Sequence, residues 1–339
     1  MKKLFMLATV AALVCSCSKE EMRVESGLES TLYLSIVPDG GTKASGEGHG
    51  NQTEDNTVNT LEIFIFRDNP GKPDDGILDT YCKLTGDEVS STSNLAIQTT
   101  TGNKIIYAVA NAHGANWKDV NTRQKFEEQT ANLADENSKN FLMVGSAEAI
   151  LNITSVVSFP IRRLVARVAI NSIKTDFAGG PYEGMELTDV KAYLINVQGA
   201  KRIYNGVGKN LLVLNKGKLV EEDAASCTMA GAIYDSFTAP VSDAGYTTPH
   251  YFYCYENAPV REKEDDKYTR LIVEGKLNGM TYYYPIVFKS VIRNNCYSVD
   301  ITIKRPGSLD PGTDIYKGSM DTTISIVDWD VHDNNDVEF

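Results

Sequence analysis

The sequence lacks the groupings that most enzymes need. Its four histidines, His49, His113, His250 and His332, sit far apart. There is no Gly-x-Ser-x-Gly elbow, no Walker loop and no His-Glu-x-x-His, and Gly46-x-Gly48-x-Gly50 has neither a strand before it nor a helix after it. Six cysteines occur, none in Cys-x-x-Cys spacing, which argues against a zinc ribbon or a redox pair. Asp330 to Asp336 holds three aspartates and two asparagines but not the spaced glycine and closing glutamate of a calcium loop, and reads as a polar tail. No catalytic residue, no cofactor and no metal site is expected, and catalysis would need residues assembled only by folding. Positive charge is scarce as well. Lys and Arg number 33 against 45 Asp and Glu, a net charge of −12, which makes the chain a poor partner for nucleic acid.

What is present begins at the N-terminus. Lys2 and Lys3 precede an apolar run of eleven residues, Leu4 to Val14, too short for a membrane-spanning helix of roughly 20 residues. Val14-Cys15-Ser16 then leads to Cys17, a charged, apolar and small-residue order typical of an export signal. Small residues directly before a cysteine resemble the lipobox of bacterial lipoproteins, where cleavage leaves the cysteine as an acylated (palmitate-bearing) N-terminus. Residues 1–16 are expected to be removed and Cys17 lipidated, the alternative being an ordinary secretory signal cut elsewhere. Two or three acyl chains hold a protein stably at a membrane where one does not. Loss of residues 1–16 lowers Lys and Arg from 33 to 31 against 45 acids, a formal charge of −14. It also leaves Cys82, Cys227, Cys254 and Cys296, each in sequence with strand character, as free thiols or one disulfide among three possible pairings.

At 339 residues the chain has room for two domains. Residues 18–30 read as a tether. Thr31 to Val37 alternates, with Leu32, Leu34 and Ile36 on one side, as a half-buried strand does. Thr42 to Thr57, rich in Gly, Ser, Thr and Asn, reads as an exposed loop in which a trypsin-like protease could reach Lys43-Ala44. Further strands are predicted over Leu61–Phe66, Lys104–Asn111, Phe159–Ile170, Leu187–Val197, Leu211–Leu214, Tyr251–Tyr255, Arg270–Leu277, Thr281–Val287 and Tyr297–Lys304. A surface helix is predicted over Trp117–Leu133, and residues 262–267 are predicted to form a charged hairpin loop. This density of strands argues for an all-β chain of β-sandwiches. Near the end, Ile324 and Ile326 share one phase while Val327, Trp329 and Val331 take the other, which predicts a bulge or two short strands in succession.

Several phrases in order, Leu61-Glu-Ile-Phe-Ile-Phe66, Ile106-Tyr-Ala-Val-Ala-Asn111, Phe141-Leu-Met-Val-Gly145, Arg163-Leu-Val-Ala-Arg-Val168, Tyr253-Cys-Tyr-Glu-Asn257, Arg293-Asn-Asn-Cys-Tyr-Ser-Val299 and Asp328-Trp329, together with the lipobox, resemble the fimbrillin (type V pilin) family of the Bacteroidales. The resemblance implies two transthyretin-like β-sandwich domains in tandem, here 44–168 and 169–339, behind a tether and first strand in 17–43. It also implies export to the outer membrane, a cut in the loop after the first strand, and head-to-tail polymerisation with other copies or related pilins into a surface fimbria used in adhesion. Carried onto this chain, the removed strand contains Leu32, Leu34 and Ile36, the cut is Lys43-Ala44, and the donor strand contains Ile324, Ile326, Val327, Trp329 and Val331. The family's cut follows arginine whereas Lys43 is lysine here, and Arg23 precedes the strand. A protease accepting lysine is therefore implied, or else an uncut anchor subunit. The rival reading is a monomeric surface lipoprotein binding glycan or host ligand, with Tyr282-Tyr283-Tyr284 as a stacking row.

Overall fold

Leu61-Glu-Ile-Phe-Ile-Phe66 has no polar side because neither face of its strand meets water. The computed structural model describes residues 27–39, 55–89, 92–204, 212–264 and 266–328, and within them residues 61–66 are buried throughout. The first half contains β1 (Glu29–Pro38), β2 (Thr60–Arg67), β3 (Leu78–Thr85), β4 (Leu95–Thr100), β5 (Gly102–Ala110), α1 (Arg123–Glu127), β6 (Thr130–Asn132), β7 (Met143–Leu151) and β8 (Thr154–Arg163). Seven of these strands run β3-β2-β5-β7-β8-β1-β4. The sheet folds over at β8, which pairs with β7 only at Arg162 and Arg163 and with β1 from Thr154 to Ile161. The two layers close on a core that contains Leu32, Leu34, Ile36, Ile63, Ile65, Ile106 and Ile161. Gly145 sits at the fold, where a Cβ would stand 2.1 Å from the Pro160 carbonyl oxygen.

The other face of β2 and β5 packs on the segment expected as a surface helix. Only Arg123–Glu127 is helical, N-capped by the Thr122 hydroxyl accepting from Lys125 N–H. The apolar residues spaced too widely for an amphipathic helix are instead the ones that bury: Val120, Phe126 and Leu133 are all inside. The Phe126 ring lies 4.9 Å from Phe64 and 4.5 Å from Tyr107, centroid to centroid.

The run expected as one strand, Phe159–Ile170, breaks at Leu164, where the chain leaves the first set of sheets. The second half comprises β9 (Val165–Thr175), β10 (Thr188–Ile195), β11 (Val197–Arg202), β12 (Leu212–Leu214), α2 (Glu221–Ser226), β13 (Tyr234–Ser236), β14 (His250–Tyr255), β15 (Thr269–Leu277), β16 (Met280–Phe288), β17 (Asn295–Ile303) and β18 (Met320–Asp328). Sheets β13-β10-β15-β16 and β14-β9-β17-β18 contribute Leu194, Val273, Phe252 and Val299 to one core, and β12-β11-β6 joins the halves through Thr130–Asn132. Asn278-Gly279, with φ of 49° and 80°, closes the β15–β16 hairpin in the left-handed conformation these residues tolerate. The chain is all-β and built of β-sandwich layers.

Cys82, Cys254 and Cys296 lie on strands, but Cys227 follows α2, so its expected strand setting is wrong; all four are free thiols. Burial pushes the Cys82 thiol up to about 11 and Cys254 to about 12. No helix among the described residues is long and apolar enough to cross a membrane.

Candidate assembly site

Strand β1 holds an unusual position for the first strand of a chain. It is internal, running antiparallel to β4 from Glu29↔Thr100 to Leu34↔Leu95 and parallel to β8 from Thr31↔Thr154 to Pro38↔Ile161. Leu32, Leu34 and Ile36 are 0%, 0% and 1% exposed, while Tyr33 and Ser35 on the other face are half-buried. Neither neighbour adjoins β1 in sequence. Both neighbours lie C-terminal to it, so among the described residues β1 connects to the body only beyond Pro38.

The walls on either side of β1 have their own attachments. On the β4 side, Asp79 of β3 accepts from the Thr99 hydroxyl (2.9 Å) and Thr100 N–H (3.2 Å), and pairs with Lys104 of β5 at 3.0 Å and Arg67 of β2 at 3.0 Å. Burial opposes the Asp79 charge, but these donors outweigh it and hold the carboxyl well below its usual range. On the β8 side, the chain following residues 40–54 is clasped at the junction of the two halves. Arg163 and Arg167, both fully buried, take Asp55 between them. Arg167 donates to the Asp55 carboxylate at 3.0 Å, and Arg163 donates to the Asp55 carbonyl and the Asn294 side chain, each at 3.0 Å, and to Asn56. The Arg167 guanidinium also lies 5.6 Å from the Tyr251 ring centroid. Sequence reasoning missed this clasp. Its one signal is that Arg163 and Arg167 fall in the largely apolar run Phe159–Ile170, where a buried cation needs a partner.

At the other end of the molecule, β18 is an edge strand. It pairs with β17 from Ile303↔Met320 to Asn295↔Asp328 without a register shift, so the expected bulge is absent from this span. No strand covers its outer edge among the described residues. Ile324 and Ile326 share one face and are 40% and 63% exposed. Cys17, Lys43, Ala44, Trp329 and Val331 lie outside the described residues, and Val327 is placed only as part of the β18 backbone. Tyr282-Tyr283-Tyr284 does not form a stacking row, because alternation sends Tyr282 and Tyr284 toward one core and Tyr283 toward the opposite face, with Tyr284 buried and the other two half-buried.

The comparisons decide what a chain of this architecture is. The sequence pattern of the family described as major fimbrial subunit protein (FimA) matches residues 30–198, which include β1 and both its neighbours. The chain belongs to the FimA fimbrial subunit family. No curated protein matches it. Its fold is that of the fimbrilin (FimA) of Porphyromonas gingivalis W83, at 15% identity over 88% of this chain and 97% of that one with a TM-score of 0.63. A candidate cell adhesion protein of Bacteroides eggerthii is similar at 18% identity, 89% and 97% coverage and a TM-score of 0.64. The tip fimbrial protein Mfa3 of P. gingivalis, with a C-terminal truncation, is similar at 13% identity, 89% and 100% coverage and a TM-score of 0.52. The family is one of structural fimbrial subunits, not of enzymes, and places this chain in a cell-surface fimbria with a role in adhesion.

Proposed function

We propose that this fimbrial subunit is exported as an outer-membrane lipoprotein acylated at Cys17 and polymerises when a cut at Lys43-Ala44 frees β1. The vacated groove between β8 and β4 then takes the β18 strand of another copy, together with Trp329 and Val331, in a head-to-tail contact that grows a filament. In this reading the two domains are 44–168 and 169–339, and the strand break at Leu164 lies close to that boundary. The observation that carries the proposal is the burial of an internal strand joined to the body on one side only. Leu32, Leu34 and Ile36 contribute about 1.5–3 kcal/mol each by burial, so losing them removes an amount comparable to a whole domain stability of about 5–15 kcal/mol. The Asp79 cluster and the Asp55 clasp support the same reading, since both groove walls keep contacts that do not involve β1. The open edge of β18 and its uncovered isoleucines support it from the donor side.

Limited trypsin treatment of the purified chain beginning at residue 18 tests this directly. A new N-terminus at Ala44 and SDS-resistant ladders are expected, and Lys43→Ala is expected to yield neither. Cleavage at Lys43 that releases β1 without ladders would remove the exchange mechanism, whereas resistance of Lys43 to cleavage would leave an uncut anchor as the assembly role.

A further inference from the structure

The end of the first half at which Gly27 enters carries aliphatic side chains that no described residue covers. Four strand connections or strand ends meet there: the start of β1, the β2–β3 connection, the Thr100–Gly102 turn between β4 and β5, and the Leu151–Thr154 turn between β7 and β8. Leu28, Ile150, Ile153 and Val156 are 46%, 62%, 68% and 77% exposed. The backbone of the tip is tied down: Thr31 N–H donates to the Ile153 carbonyl at 2.9 Å, Thr101 N–H donates to the Leu28 carbonyl at 2.8 Å, and Leu28 N–H donates to the Thr101 hydroxyl at 3.0 Å. With the backbone already ordered, an apolar partner would have only the side-chain rotamers left to immobilise.

We propose that this tip is a lipid-contact surface on which the subunit rests while tethered, an inference that depends on acylation of Cys17. Only nine residues lie between Cys17 and Gly27, ten steps of chain with a reach of at most about 33–36 Å, and Gly27 leaves the fold at this end. Bilayer attachment therefore brings the membrane within reach of the tip and turns β18, on the second half, away from it. A short tether also raises the local concentration of the surface, so that a few partly inserted side chains suffice for contact. The charges of the β2–β3 connection, Asp68, Asp74 and Asp75 against Lys72, offer no attraction to anionic headgroups. The contact is apolar and should persist at high salt.

An Ile153→Trp reporter tests this in vesicles of phosphatidylcholine containing brominated chains, with Leu309→Trp in the second half as control. Two forms are compared, the acylated protein extracted from membranes and the full mature chain tethered through an N-terminal His-tag to nickel-chelating lipid. The added tryptophan at 153 is expected to be quenched at least twofold more than that at 309 in both forms, unchanged by salt, and Ile150→Asp is expected to abolish the difference. Equal quenching at 153 and 309 in the nickel-tethered chain overturns the surface. A blue shift at 153 that needs no vesicles and rises with protein concentration overturns it in favour of a second copy. Mass analysis showing an unmodified Cys17 overturns the tether reading instead, whatever the nickel-tethered chain does.

Discussion

Glu136 is the residue whose placement has the clearest thermodynamic consequence. It lies 1% exposed between the two halves, its carboxylate accepting from Leu142 N–H at 3.1 Å and from the Tyr255 hydroxyl at 3.0 Å. Burial, helped by the nearby Asp135 charge, outweighs those donors and pushes the carboxyl up to about 7. An acid whose pKa rises on folding binds more protons when folded, so stability is lost as pH rises from the unfolded value near 4.5 through 7. The shift corresponds to roughly 3 kcal/mol. Glu136→Gln keeps a polar group against Leu142 and Tyr255 but cannot ionise. Its melting temperature should match the parent near pH 5 and exceed it at pH 8. A pH-independent difference between the two proteins would show that Glu136 does not titrate in this range.

The elements were legible in the sequence where both faces of a strand, or one face regularly, are buried. Leu61–Phe66 stands out because both its sides are inside, and β14, β15 and β17 because most of their residues are buried. By contrast β3, β4 and β7 went unpredicted: Leu78-Asp-Thr-Tyr-Cys-Lys-Leu-Thr85 is half exposed along most of its length, and its stability comes from ladders to distant residues. The partners of β1 were illegible for the same reason, since parallel pairing with β8 joins residues more than a hundred positions apart. At the chain end the alternation of Ile324 and Ile326 was legible, and as far as Asp328 the strand runs without a bulge. That pattern suits a strand with a face left uncovered in the monomer, and it permits a crossed experiment. Ile324→Ser with Ile326→Ser should cost the monomer only about 0.5 kcal/mol each, as exposed substitutions do, yet abolish SDS-resistant ladders. Leu34→Ala should cost the monomer about 2–5 kcal/mol and leave ladders formed after β1 is gone unchanged. If both variants move melting temperature and ladder formation together, β1 and β18 do not have separate roles.

Across the whole molecule, the two cores differ in what they hold together. The core that contains Leu32, Leu34 and Ile36 is confined to the first half, whereas the core around Phe64, Tyr107 and Phe126 continues through Leu164 and Val168 to Phe252 and Val299 of the second. Strand β6 paired with β11, the Phe141–Tyr253 ring contact at 5.3 Å and the Arg163–Asn294 bonds tie the halves along the same path. Strands β2 and β5 serve both cores with opposite faces, so neither core can melt in the intact chain without exposing the other. The uncut protein is expected to unfold in one calorimetric transition whose calorimetric and van't Hoff enthalpies agree. Once β1 has been cut and displaced in mild denaturant, the first-half core loses three of its buried side chains while the continuous core keeps all of its own. The expected result is a split trace, with an early transition below the parent melting temperature and a later one near it. Addition of a peptide spanning residues 320–339 should merge the two again by refilling the groove between β8 and β4. Two transitions in the uncut chain would show that the halves are independent, and a peptide without effect on the split would mean that β18 and the C-terminal residues beyond it do not fit that groove.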